Sequence, residues 1–254
     1  MTDTMRRLLP IAAAALLLTG CQWFGLKTAT YSDEQAIPLI EGRADSLTLS
    51  VSLDYPVKGA SEEVLARMTK GILGAAFDLE EEPGTVQETA TRYEDNLKDE
   101  YFNENERYIK AGTEGGVFSW EDRINGYFSG GFRHYRSYMV EYYGYRGGAH
   151  GINTMTPLVF DTKTGETVPE EAFFADGYRA PVAGLIQAHL PEALENDEEN
   201  LSALFEPDLV GPNGYYEVTR DGVTWYYQPY DIAPYYLGVI SVTVPWKELT
   251  PYLR

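Results

Sequence analysis

A single cysteine, Cys21, stands in a chain of 254 residues, with only three histidines, His134, His150 and His189. No intrachain disulfide is possible, so a hydrophobic core must hold the fold. The histidines are scattered rather than paired on one element, and no HExxH occurs, so the ligand spacing of a zinc site is missing. No G-x-S-x-G elbow and no glycine-rich loop ending in a P-loop lysine occur either, which leaves nucleophilic-serine and nucleotide chemistry without their signatures. Basic residues are few: 20 Lys and Arg against 39 Asp and Glu give a formal charge of −19. That excess argues against nucleic acid as a partner and suits a basic one.

The longest apolar run, Leu8 to Leu18, is too short to span a bilayer, which takes about 20 apolar residues. It follows Arg6 and Arg7 and ends in Leu18-Thr19-Gly20-Cys21. This reads as a signal peptide over residues 1–20 with a lipobox, making Cys21 the diacylated N-terminus of an exported lipoprotein. An ordinary cleaved signal with an incidental cysteine is the alternative. Gln22 rather than Asp at the next position points to the outer membrane, facing the periplasm. Residues 21–43 read as lipid anchor and polar tether. The expected partner of that end is the membrane itself.

The remainder carries 20 tyrosines and four tryptophans, which suit cores, protein interfaces and sugar stacking. Leu47, Leu49, Val51, Leu53 and Tyr55 alternate as a half-buried strand. Ser61 caps a helix carrying Val64, Leu65, Met68, Ile72, Leu73 and Phe77. Val86, Ala90, Tyr93, Leu97 and Tyr101 predict a second helix, with Gly112 as its stop. The aromatic, glycine-punctuated stretch from about 115 to 148 predicts two or three antiparallel strands, with His134 on one of them. Further strands follow at 156–161, 215–218, 223–227 and 238–244. A helix is expected over 178–194, a loop at the acidic 196–200, and a helical turn at the end. Calcium at 196–200 lacks the EF-hand spacing. The class is α+β, with helices packed on antiparallel sheets in two closely associated subdomains, 44–150 and 151–254.

The loudest local pattern is YYGYRGGAHGIN, residues 142–153, with four glycines among residues 144–151. Two roles fit His150: a general base beside a carboxylate, or a turn histidine among glycines of positive φ. The glycines favour the turn. His189, just before Pro191, suits a helix end. A glycan hydrolase using two carboxylates stays open, because 39 acidic residues do not single out a pair. In QPYDIAPY, residues 228–235, two prolines stiffen a segment bearing Tyr230 and Tyr235. It is either a rigid binding loop or a guard on a sheet edge.

Taken together, Gly147-Gly148-Ala149-His150, then Phe160-Asp161-Thr162-Lys163-Thr164-Gly165, then Pro229-Tyr230-Asp231-Ile232-Ala233-Pro234-Tyr235 resemble the RsiV C-terminal domain family. The part before them resembles the non-catalytic N-terminal domain of PdaC-type deacetylases. The resemblance implies a non-enzymatic extracytoplasmic module without cofactor or metal. Its ligand would be lysozyme or another basic protein, with peptidoglycan as a second candidate. Tyr143, Tyr145, Arg146, His150, Tyr230, Asp231 and Tyr235 are the candidate ligand-binding residues. Gly151 replaces the proline common after the family's GGAH, and the deacetylase domain with its metal chemistry is absent from these residues.

Overall fold

The computed structural model describes residues 25–41, 44–79, 82–110 and 118–254. The signal segment, Cys21 and the Gly112 helix stop lie outside the described residues.

Five strands form the first sheet in the order β1 (Lys27–Pro38), β2 (Ser46–Lys58), β3 (Trp120–Phe132), β4 (Tyr135–Tyr145) and β5 (Ile152–Asp161). The helices α1 (Glu62–Phe77) and α2 (Val86–Lys110) lie between β2 and β3. That connection makes β2 and β3 parallel, while the other neighbours are antiparallel. A two-helix crossover supplies the length that a parallel pair needs, and both helices cover one face.

The start of each helix is set locally. Ser61 Oγ accepts from Val64 N at 3.4 Å, and α1 stops at Asp78, whose φ of +47° ends the helical run. At α2, Thr85 N–H donates to Glu88 Oε2 at 2.9 Å and Glu88 N–H donates to Thr85 Oγ1 at 3.2 Å, a reciprocal capping box. Burial follows the strand period: Leu47, Leu49, Val51 and Leu53 are sealed against Met68, Ile72 and Leu73 of α1.

The expected tether is corrected over its middle. Residues 27–38 are an edge strand, not a linker. Its inward stripe includes Asp33 and Gln35, so no apolar alternation marks it. The polar pair is accommodated because Tyr31 OH donates to Glu94 Oε1 at 2.9 Å and Gln35 Nε2 donates to Glu94 Oε2 at 3.2 Å.

The second sheet is β6 (Tyr216–Val218), β7 (Gly222–Tyr227) and β8 (Ile240–Pro245), all antiparallel. It follows the short α3 (Glu170–Phe173), α4 (Arg179–Ala193) and α5 (Glu198–Ser202), and precedes the terminal turn α6 (Trp246–Leu249). Val182, Ile186 and Leu190 of α4 share a second core with Val223, Trp225, Val242 and Val244. The acidic segment expected as a loop at 196–200 instead starts α5, because Asp197 caps it by accepting from Asn200 N at 2.9 Å. His134 sits in the β3–β4 turn, not on a strand, beside Arg133 at φ +56°.

Two cores match the two-subdomain α+β expectation, yet the junction placed at 150–151 falls between β4 and β5 of one sheet. The sheets are stitched by Ser137, whose hydroxyl accepts from Val218 N and donates to Val218 O, both at 2.8 Å. One side chain thereby replaces a strand neighbour for β6. Among the described residues no helix is long and apolar enough to cross a membrane, and no cluster of His, Cys, Asp and Glu has metal-holding geometry.

Candidate ligand-binding site

The glycine loop between β4 and β5 meets the QPYDIAPY loop between β7 and β8. His150 stacks on Tyr235, ring centres 4.0 Å apart with planes 24° apart, and Tyr230 lies 5.7 Å beyond Tyr235. The join is polar. Tyr235 OH donates to Gly151 O, and His150 Nδ1 lies 2.9 Å from the same oxygen. Below it, the Gln228 carboxamide accepts from Met155 N at 3.0 Å and donates to Met155 O at 2.7 Å. Gln228 thus occupies the free edge of β5 as a paired residue would.

Asp231 closes the turn instead of facing outward: its Oδ2 accepts from Gln228 N at 2.7 Å, and its N–H donates to Gln228 O at 3.0 Å. The closed turn holds Tyr230 at φ +74°, unusual for a residue with a Cβ, and leaves it 57% exposed. His150 is exposed as well. The result is a fixed aromatic ladder where the two loops meet.

Two more expected residues serve the loop itself. Tyr145 OH donates to Gly148 O at 3.0 Å, where Gly148 takes φ +106°. Arg146 turns inward, donating to Asp122 Oδ2 at 2.7 Å while its guanidinium lies 5.0 Å from the Trp120 ring centre. Asp122 is wholly buried and also accepts from Tyr93 OH at 2.8 Å and Tyr142 OH at 3.1 Å. Burial and then the Asp122 charge push the Tyr142 phenol up to about 12. This network anchors the loop base. It escaped the sequence reading because Asp122 occupies an inward strand position where an apolar residue is expected.

Tyr143 faces the other way, onto the sheet face that α1 and α2 leave uncovered. There it borders a crevice of about 460 Å³ with Arg123, Asn125, Glu141, Asn153 and Met155, walled by Gly238 and Val239 just past the QPYDIAPY loop. The seven expected residues therefore divide. His150, Tyr230 and Tyr235 form the ladder, Tyr143 borders the crevice, and Tyr145, Arg146 and Asp231 hold the two loops in shape. The remaining histidine, His189, joins α4 to α6 through Glu248 at 3.1 Å.

Residues 171–247 match the family described as "Protein of unknown function (DUF3298)". This span holds the second sheet and the QPYDIAPY loop, but neither His150 nor the crevice floor. A DUF3298 family member from Bacteroides fragilis NCTC 9343 superposes with a TM-score of 0.80 at 20% identity, covering 90% of this chain and 94% of its own. The fold is that of the DUF3298 structures. A family protein from Pseudomonas aeruginosa PAO1 gives a TM-score of 0.62 at 15% identity over the same shares. At these identities the likeness is one of architecture. No curated protein matches the chain.

Proposed function

We propose that this chain is a non-enzymatic binding module of the cell envelope, anchored through a lipidated Cys21 in the outer membrane and facing the periplasm. Its ligand is a basic protein, with lysozyme as the first candidate. The observation that carries this reading is the ladder of His150, Tyr235 and Tyr230, exposed at both ends and fixed at its middle by the Tyr235 hydrogen bond to Gly151, with Gln228 of the same loop bonded to Met155. Rigid aromatic side chains give contact area at small entropic cost, which is the character of an interface anchor. A formal charge of −19 would steer a basic partner and raise its association rate. The resemblance to the RsiV C-terminal domain family supplies lysozyme as the protein to try.

The test is calorimetric titration of residues 22–254 with a c-type lysozyme at low and moderate salt. Stoichiometric binding that weakens as salt rises is expected. The absence of heat at both salts would sink the lysozyme reading. Anchoring is tested separately: Cys21→Ser should move the protein from the membrane fraction to the soluble fraction.

A further inference from the structure

The crevice beside the ladder has a regular floor. Register places Arg123 of β3 opposite Tyr143 of β4, and Tyr143 opposite Asn153 of β5. The next row on the same face runs Asn125, Glu141, Met155. Two rows across three strands make a grid of mainly polar side chains about 4.8 Å apart from strand to strand. The volume of about 460 Å³ falls within the range of small-ligand sites.

The grid is preorganised. Glu141 accepts from Asn125 Nδ2 at 3.1 Å and from Tyr127 OH at 2.7 Å, one bond on each carboxylate oxygen. Arg123 lies over the Tyr143 ring at 4.6 Å, and its Nε sits 3.2 Å from Glu121. Glu141, Asn125 and Arg123 are thus each held by a neighbour while keeping donors or acceptors for a ligand: carboxylate lone pairs on Glu141, guanidinium N–H groups on Arg123 and carboxamide atoms on Asn125, to which the exposed Asn153 adds its own carboxamide. Tyr143, Met155 and Val239 supply apolar surface between them.

We propose that this crevice binds a neutral oligosaccharide. Adjacent sugar hydroxyls each donate and accept, matching planar side chains that do both, while the C–H faces of the ring pack on the apolar patches. Charge narrows the class. Arg123 is already paired with Glu121, so Glu141 leaves the floor net negative, which disfavours phosphorylated and uronic ligands. The site is distinct from the ladder, and the protein-binding reading neither requires it nor supplies it. It gives an envelope protein a second ligand of a different class.

The full chain is titrated by calorimetry with the tetramer of N-acetylglucosamine and, separately, with cellotetraose. Saturable binding of at least one is expected, with a dissociation constant of about 0.1–1 mM, unchanged by salt. Binding of both assigns recognition to the hydroxyls, and binding of the first alone assigns it to the N-acetyl groups. Asn125→Ala and Asn153→Ala should each weaken binding about tenfold, whereas Ser32→Ala, exposed on the same sheet face two strands away, should not. Both asparagines are exposed, so their variants fold, as circular dichroism will verify. No binding of either sugar at millimolar concentration overturns the proposal, as does binding that both asparagine variants retain. A lysozyme titration of Asn153→Ala separates the two sites, since protein binding should persist there.

Discussion

His150 lies flat against Tyr235, 85 positions later in the chain, and both reach the Gly151 carbonyl oxygen. The contact answers what the glycine loop is for. Glycine at 147 and 148, with φ of +83° and +106°, turns the chain so that His150 faces the second loop. The imidazole packs on Tyr235, and the paired loops project Tyr230.

From this geometry, Tyr230→Ala removes one exposed end of the ladder and no core contact. Thermal stability should stay within about 0.5 kcal/mol of the parent, while affinity for lysozyme, the proposed ligand, should fall at least about tenfold, as for an interface anchor. Paired melting and calorimetry check this. Equal affinity in parent and variant would remove the ladder from the interface.

Arg146→Ala has the opposite signature. It strips the cation from a carboxylate with no exposure, leaving Asp122 with the two phenols of Tyr93 and Tyr142. A loss of roughly 2–4 kcal/mol in urea unfolding is expected. Adding Asp122→Asn should restore part of it, because the uncompensated charge goes with the mutation. A double variant no more stable than Arg146→Ala would show that the packing of the guanidinium on Trp120, not the charge, dominates.

Acid should stabilise the α2–β1 contact. Glu94, 3% exposed, faces Tyr31, Asp33 and Gln35 of β1, with Lys98 on its own helix. Burial first, opposed by the Tyr31 hydrogen bond and reinforced by Asp33, raises its carboxyl to about 7. The folded state then holds a proton that the unfolded state has lost between about pH 4.5 and 7. Stability from this group is complete below that window and declines as pH rises through it, by roughly 1–3 kcal/mol in all. Glu94→Gln should flatten the slope and be the more stable protein at pH 8. Urea midpoints across the window decide it, and a parent curve as flat as the variant's would refute it.

How much of this was legible in the sequence depends on what each residue faces. Leu47, Leu49, Val51 and Leu53, and the apolar stripe of α1, follow the period of their elements, so strand, helix and core could be read directly. Strand β1 could not, because Asp33 and Gln35 point inward and depend on Glu94 some sixty residues away. The meeting of His150 with Tyr235 is equally non-local: each loop was recognisable as a loop, but not as the other's partner. The crevice floor was hidden for a related reason. Arg123, Asn125, Glu141 and Asn153 look like ordinary outward polar positions until register aligns them across three strands.

Two glycines with opposite surroundings give the last prediction. Gly222 opens β7, where a Cβ would lie 2.1 Å from the backbone oxygen of Val244. That atom belongs to the β7–β8 ladder and cannot rotate away, so Gly222→Ala must part the strands and should cost more than about 3 kcal/mol. Gly184 sits inside α4 with no atom beyond its own stretch of helix within 4 Å of a Cβ built there, and with no left-handed φ. There alanine only reduces the freedom of the unfolded chain, so Gly184→Ala should stabilise by about 0.5–1 kcal/mol. Chemical denaturation of both variants separates close backbone approach from mere helical tolerance. A Gly222→Ala protein as stable as the parent would mean that the β7–β8 pairing is looser than its register implies.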